Sequence, residues 1–306
     1  MENVSIVLPT YNGEKYIKKQ LDSIINQTYT DWHLYIRDDG SKDKTREIVK
    51  TYADRFPQKI TVIKDHKGNL NVSANVFEIL RFVKGKYIML SDQDDVWFKR
   101  KVELQFKAIR QLERRYPGKA VLLCADAVVT DKNLNVLYSS LFRCAFYDIR
   151  CSNFSNLLQR NIVQGASSIF NYRLLIEMQK AMEMGNTNII MHDYWLALVA
   201  SAQGKVQMMK KPLMYYRQHD ENLVGALNYR KSFHFDMIKE WLYLVRNKRI
   251  IKEFKRVYGQ SLEKENLEII RVLLHDKNYR QHYIKEKKYI YDPLYIRVAK
   301  TIYGIN

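Results

Sequence analysis

Val4-Ser5-Ile6-Val7-Leu8-Pro9-Thr10-Tyr11-Asn12-Gly13 opens the chain with an apolar run that stops at a turn. The run reads as a buried strand, and Pro9 to Gly13 as the loop that ends it. Residues 14–27 follow with helical spacing in Tyr16, Ile17, Leu21, Ile24 and Ile25. The pattern then repeats. His33 to Arg37 reads as a strand, Lys44 to Arg55 as a helix with Asp43 as its cap, and Lys59 to Lys64 as a strand. Residues 72–82 form a third helical pattern, and Tyr87 to Leu90 a fourth strand. This β-α-β-α-β-α-β rhythm predicts an α/β fold: an open, mostly parallel, Rossmann-like sheet with helices on both faces.

In such a sheet, ligands bind beyond the carboxyl ends of the strands. Two acidic clusters fall there. Asp38-Asp39-Gly40 follows the second strand, and Ser91-Asp92-Gln93-Asp94-Asp95 follows the fourth. Asp-Asp-Gly alone is a common turn, and Asp-x-Asp alone arises by chance. Together they bring five carboxylates to one edge, where they repel unless a positive charge sits among them. A hard divalent cation with oxygen ligands, its shell completed by phosphates, answers that need.

Further along, Lys99 to Tyr116 reads as an amphipathic helix, Ala120 to Thr130 and Ser167 to Phe170 as strands, and Arg173 to Met184 and 193–203 as helices. Lys205 to Met209 and Leu213 to Tyr216 read as two extended pieces. After about residue 228 the pattern becomes basic, aromatic-rich and helical. The predicted division is a domain over 1–225 and a helical appendage over 226–306. Three scattered cysteines, Cys124, Cys144 and Cys151, lack metal-ligand spacing and read as free thiols in a reducing cytoplasm. No apolar stretch is long enough to span a bilayer, and no signal peptide is evident.

The net charge is +18. Residues 226–306 carry 18 Lys and Arg against 9 Asp and Glu, about half of the excess. Such charge fits nucleic acid, an anionic membrane or a phosphate-rich substrate. Acidic loops at the sheet edge argue against nucleic acid there. A basic, aromatic tail is compatible with peripheral contact with an anionic membrane through the C-terminal region, and equally with a helical subdomain that packs its aromatics inward.

Three motifs, in order and spacing, resemble the family 2 glycosyltransferases of the GT-A fold, over roughly residues 3–225. Val4 to Gly13 is similar to that family's first strand and nucleotide loop, Asp38-Asp39-Gly40-Ser41-Lys42-Asp43 to its base-binding motif, and Ser91 to Trp97 to its metal motif. The resemblance implies inverting, metal-dependent transfer from a dTDP- or UDP-sugar. It implies that Pro9, Thr10 and Tyr11 border the nucleobase, with Tyr11 stacked on it. Asp39, helped by Asp38, would accept the pyrimidine N3–H. Asp92 and Gln93 would lie near the ribose and sugar, and Asp94 would hold Mg²⁺ or Mn²⁺. Ser73-Ala74-Asn75 stands where many relatives have Ala-Arg-Asn, so that Arg is missing, and Lys67 or Arg100 is the candidate substitute.

Inversion needs a general base for the acceptor hydroxyl. Asp193, in Met191-His192-Asp193-Tyr194-Trp195, resembles the family's base; its residue type and place also suit a helix cap. His219 resembles a residue that reaches back to the metal or diphosphate, with Arg217 beside it as a phosphate contact. Gln164, Gly165, His192 and Trp195 are expected on the acceptor side. The whole set looks most like bacterial rhamnosyltransferases that use dTDP-L-rhamnose to build capsular, cell-wall or O-antigen glycans on glycan or lipid-linked acceptors at the cytoplasmic face. Relatives with these motifs also use UDP-hexoses. A nucleotidyltransferase is the nearby rival, weakened by the single glycine and absent arginine of the first loop.

Overall fold

The computed structural model describes residues 4–145, 147–183, 191–219 and 237–274. Its elements in chain order are β1 Val4–Thr10, α1 Ile17–Ile25, β2 Trp32–Asp38, α2 Thr45–Arg55, β3 Ile60–Val62, α3 Asn71–Leu80, β4 Tyr87–Leu90 and β5 Val96–Trp97. They continue with α4 Lys101–Arg115, β6 Ala120–Thr130, β7 Val136–Tyr138, α5 Leu141–Cys144, α6 Phe154–Gln159 and a 3₁₀ turn at Gly165–Ser167. β8 Ser168–Asn171, α7 Tyr172–Glu183, α8 His192–Gln203, β9 Gly204–Arg217, α9 Met237–Tyr258 and α10 Lys264–Leu274 complete the set.

The strands form one sheet in the order β3-β2-β1-β4-β8-β6-β9-β5, with β7 paired to β6. β3, β2, β1 and β4 are parallel, so Thr10, Asp38 and Leu90 end on one edge. Consecutive residues point to opposite faces of a strand, and both faces are apolar here. In β1, Ile6 and Leu8 enter one core layer with Ile17 and Leu21 of α1 and Val102 and Ile109 of α4. Val7 enters the other, with Val76 of α3, Leu174 of α7 and Leu198 of α8. That two-sided burial is why the opening run is nearly continuous in apolar residues.

The second half departs from the expected rhythm. β8 is antiparallel to both β4 and β6. The two extended pieces predicted over 205–216 are one strand, β9, parallel to β6. Its pairing shifts register around Asp126 and Pro212, where proline has no N–H to give the ladder. β5 is only two residues long and carries no periodicity to read. It pairs with β9 at Tyr215 and Met214, and so pins the acidic loop between β4 and β9.

Described parts of the C-terminal region share the main core. Ile250, Ile251, Phe254, Tyr258 and Ile269 are buried with the sheet's own residues. Phe254 packs 5.5 Å from both Phe154 and Trp195, and the Tyr258 hydroxyl donates to Glu177 O at 2.8 Å. Inward packing therefore accounts for these aromatics. The predicted boundary near Gly225, and the Tyr, Ile and Lys of 283–303, lie outside the described residues. No helix among the described residues is long and apolar enough to cross a membrane, and the three cysteines are unbridged.

Candidate active site

The first two loops are one construction. Asn12 N–H donates to Ser41 Oγ at 2.8 Å, Gly13 N–H to Thr45 Oγ1 at 2.7 Å, and Glu14 N–H to Asp43 at 3.0 Å. Asp43, expected as the cap of α2, accepts Thr45 N–H at 3.0 Å one residue ahead of the formal cap position. Asp38 accepts from Thr10 Oγ1 at 2.9 Å, from Ser41 N–H at 2.8 Å and from Arg46 Nε at 2.8 Å. These donors outweigh the cost of its burial and hold its pKa below the usual carboxylate value. Tyr11 is 43% exposed beside this platform, so its ring is open to a ligand.

Gln93 fastens the first loop to the acidic motif. Its side-chain amide accepts Tyr11 N–H at 2.9 Å and donates to Tyr11 O at 2.8 Å. A Cβ at Gly13 would overlap Gln93 Oε1, so the amide keeps this place only beside glycine and would swing away from any larger residue. Gly13→Ala is therefore expected to expel Gln93 and weaken nucleotide binding about fivefold, the worth of a pair of exposed hydrogen bonds. Gln93→Ala should do the same, and the double variant should be no worse than either single one. Additive losses, read by calorimetry, would show that the two residues act separately.

Asp39 is 3% exposed. It accepts Arg37 Nη1 at 2.6 Å, Leu70 N–H at 2.9 Å and Asn71 N–H at 3.0 Å. A carboxylate from β2 thus caps α3, whose own N-cap residue, Leu70, makes no side-chain capping bond. Lys67 and Arg100, the substitutes considered for the missing arginine, pair with Glu78 at 2.6 Å and Glu103 at 2.8 Å.

The acidic edge itself is compact. Carboxylate oxygens of Asp92, Asp94 and Asp95 lie within 4.8 Å of one another. Burial and the charges of Asp94 and Asp193 push Asp92 up to about 7. Asp95 is fully buried and raised well above its ordinary value by burial and the charges of Asp94 and Asp92. It accepts Arg217 N–H at 3.2 Å, while its second oxygen has no partner. A three-carboxylate set with an uncompensated buried oxygen suits a hard divalent cation. His219 adjoins the set through Asp94 alone: its Nε2 lies 2.7 Å from Asp94 Oδ2. Tyr16 stacks on the His219 ring at 4.8 Å. Tyr16 reads in sequence only as one more apolar position of α1's periodicity, which gives no sign of this contact.

Arg217 needs correction. Instead of reaching phosphates it is 1% exposed beneath the motif. Its Nε donates to Asp94 O at 2.6 Å, its Nη1 to Lys132 O at 2.5 Å, and it lies over the Tyr16 ring at 4.8 Å. Guanidinium geometry suits this bridging of carbonyls, and it fixes the backbone that presents Asp94. Lys101 is also buried, its amine over the Trp97 ring at 4.9 Å and pushed down to about 7 by desolvation.

Asp193 stands in the first turn of α8, whose N-cap is Met191. Its Oδ1 accepts Tyr194 N–H at 2.6 Å. Burial raises its pKa. Gly165 lies between the start of α8 and the end of β4: a Cβ there would be 3.0 Å from His192 Nε2, 3.3 Å from Asp193 Cβ and 3.6 Å from Leu90 Cδ1, so Asp193 stands beside the strand end that leads into the acidic run. Gln164 precedes Gly165, with both side-chain amide atoms buried and unpartnered. Two acceptor-side expectations change. Trp195 is 2% exposed and packs on Phe254, because helical spacing turns it to the core two residues after Asp193. His192 is buried against Gly165 and Ser73, 3.4 Å from Ser73 Oγ, and desolvation lowers its pKa.

Solved structures share this fold. The fold superposes on S. aureus TarS 1-349 in complex with UDP-GlcNAc at a TM-score of 0.56, 16% identity, covering 92% of this chain and 78% of that one. It also superposes on the mannosyltransferase PcManGT from Pyrobaculum calidifontis in complex with GDP-Man and Mn²⁺ at 0.52 and 17% identity, covering 97% and 83%. This mostly parallel sheet, with its ligand edge at the strand ends, is the GT-A fold of nucleotide-sugar glycosyltransferases. More particularly, residues 5–117 match the family described as Glycosyl transferase family 2; the chain carries that domain and is a glycosyltransferase. Among relatives, dTDP-rhamnosyl transferase RfbG of Shigella flexneri is 28% identical over 82% of this chain and 83% of its own length. The UDP-Glc:alpha-D-GlcNAc-diphosphoundecaprenol beta-1,3-glucosyltransferase WfgD of Escherichia coli is 35% identical over 33% of this chain, and the match spans only 39% of that protein.

Proposed function

We propose that the chain is an inverting, metal-dependent transferase that moves L-rhamnose from dTDP-L-rhamnose to a growing capsular, cell-wall or O-antigen glycan. The carrying observation is that Asp193 and the end of β4 meet at Gly165, and that Asp92, Asp94 and Asp95 gather just beyond β4 with His219 beside Asp94. Asp94 and His219 would hold Mn²⁺ or Mg²⁺, with Asp92 assisting. The bound ion supplies positive charge for the departing diphosphate. Tyr11, Pro9 and Thr10 border the base, with Asp38 and Asp39 behind them. Asp193 accepts the proton of the acceptor hydroxyl as its oxygen bonds to the anomeric carbon. The bond from that carbon to the diphosphate breaks, and the nucleoside diphosphate leaves.

Rhamnose is supported by the length of the match to RfbG. The shorter match to WfgD keeps a UDP-hexose as the alternative, and the diphosphoundecaprenol acceptor in that protein's name supports a lipid-linked glycan acceptor. Peripheral contact of the C-terminal region with anionic lipid fits the excess of Lys and Arg after residue 226. A thermal-shift screen of nucleotide sugars with Mn²⁺ tests the donor. At a hundred times Kd, dTDP-rhamnose should add about 2.7 kcal/mol of stability by mass action. A larger shift with a UDP-hexose would replace rhamnose with that sugar. No shift with any nucleotide would overturn the donor reading.

A further inference from the structure

Arg37, with Arg217, is one of the two largest fully buried side chains among the described residues, 1% exposed at the penultimate position of β2. Its guanidinium is surrounded by acceptors. Nη1 donates to Asp39 Oδ1 at 2.6 Å and Asn75 Oδ1 at 3.1 Å. Nε and Nη2 fork onto Asp65 at 2.7 and 3.1 Å. Nη2 also reaches Lys67 O at 3.1 Å and Gly68 O at 3.4 Å. One cation thus joins the base-side carboxylate Asp39 to three residues of the 64–70 connection. Asp39 then receives the Leu70 and Asn71 amides at the far end of that connection. Asn71 takes a left-handed backbone, φ 68, where the connection enters α3.

The topology says which part of the cleft this wall borders. The acidic edge follows β4, the exposed Tyr11 follows β1, and Asp39 follows β2; the 64–70 connection follows β3, farthest from the acidic edge. On the donor reading, with the diphosphate at the acidic edge after β4 and the base at Tyr11 after β1, the nucleoside end lies on the β3 side of the diphosphate.

We infer that Arg37 is a positioning residue that clamps the 64–70 connection to Asp39 as the wall of the nucleoside end of the donor cleft. This rests on the nucleotide-donor reading above. A clamp built from a forked, charge-assisted set is geometric, so a point charge does not replace it. Its loss should loosen the nucleoside end and leave the diphosphate end intact.

The test uses the full chain with Mn²⁺ and three probes: dTDP, UDP and inorganic pyrophosphate, titrated by calorimetry. Arg37→Lys removes the fork. Asp65→Asn, at a carboxylate 19% exposed, loosens the same fork without stranding a buried charge. Both variants should bind the preferred nucleotide about tenfold more weakly, the worth of one charge-assisted hydrogen bond. Pyrophosphate affinity should stay within about twofold. Hydrogen exchange of the Leu70 and Asn71 amides should accelerate in Asp65→Asn while the β1 and β4 amides stay protected. A general loss of packing would weaken pyrophosphate and nucleotide alike, and would overturn the inference, as would unchanged nucleotide affinity in folded Asp65→Asn. A wild-type protein that binds pyrophosphate but neither nucleotide would instead overturn the donor reading.

Discussion

Asp94→Ala is expected to lower transfer by about a thousandfold or more, the scale on which loss of charge stabilisation at a leaving group is felt. Asp94 is the least replaceable carboxylate of the edge. It shares its Oδ2 with His219 at 2.7 Å, and its own carbonyl is held by Arg217 at 2.6 Å, so its position is fixed from two sides. Asp95 is buried and bonded to the Arg217 amide, which makes it part of the floor. The signature to look for is conditional. Nucleotide affinity should fall in Asp94→Ala when Mn²⁺ is present and match wild type when it is chelated. His219→Ala should show the same pattern at smaller size, because it would remove one proposed ligand and leave Asp94 with Asp92. Equal loss with and without metal would mean that Asp94 shapes the cleft without holding an ion. Full activity of wild type in EDTA would remove metal dependence altogether.

The first half of the fold was legible because its signals are local. Apolar runs such as Val4 to Leu8 are buried on both faces, and their spacing alternates cleanly with helical spacing. The acidic residues were legible because parallel strands place Asp38 and Ser91 to Asp95 on one edge once the strands are found. What escaped was whatever depends on partners far away in the chain. Gln93 belongs with Tyr11, 82 residues apart, and Tyr16 with His219. Nothing in a neighbouring residue marks those contacts. Arg217 escaped for a related reason: sequence gives a charge but not its solvation, and a cation beside carboxylates reads as a phosphate contact until its burial is seen. Trp195 was misplaced because α8 is buried nearly all round, leaving no polar stripe from which to infer the side facing the cleft.

Asp193→Asn is expected to reduce transfer by about a thousandfold while nucleotide and Mn²⁺ affinities stay within about twofold, since general-base catalysis is worth about that much and the substitution keeps the side chain's shape. The asparagine oxygen can still accept the Tyr194 amide, so α8 should start where it does now. The wild-type pH profile carries a second signature. A base works ionised, and burial raises the pKa of Asp193. Activity should therefore be lost as pH falls through a value above the ordinary carboxylate range, and be regained above it. Asp92, pushed up to about 7, would produce an acid limb of its own. The two are separable. A proton on Asp92 competes with the cation, so raising Mn²⁺ should move an Asp92 limb to lower pH. A limb set by Asp193 should stay in place once the metal is saturating. Near-full turnover in Asp193→Asn would exclude it as the base and leave its carboxylate the narrower task of ordering the turn at Gly165 against the first turn of α8.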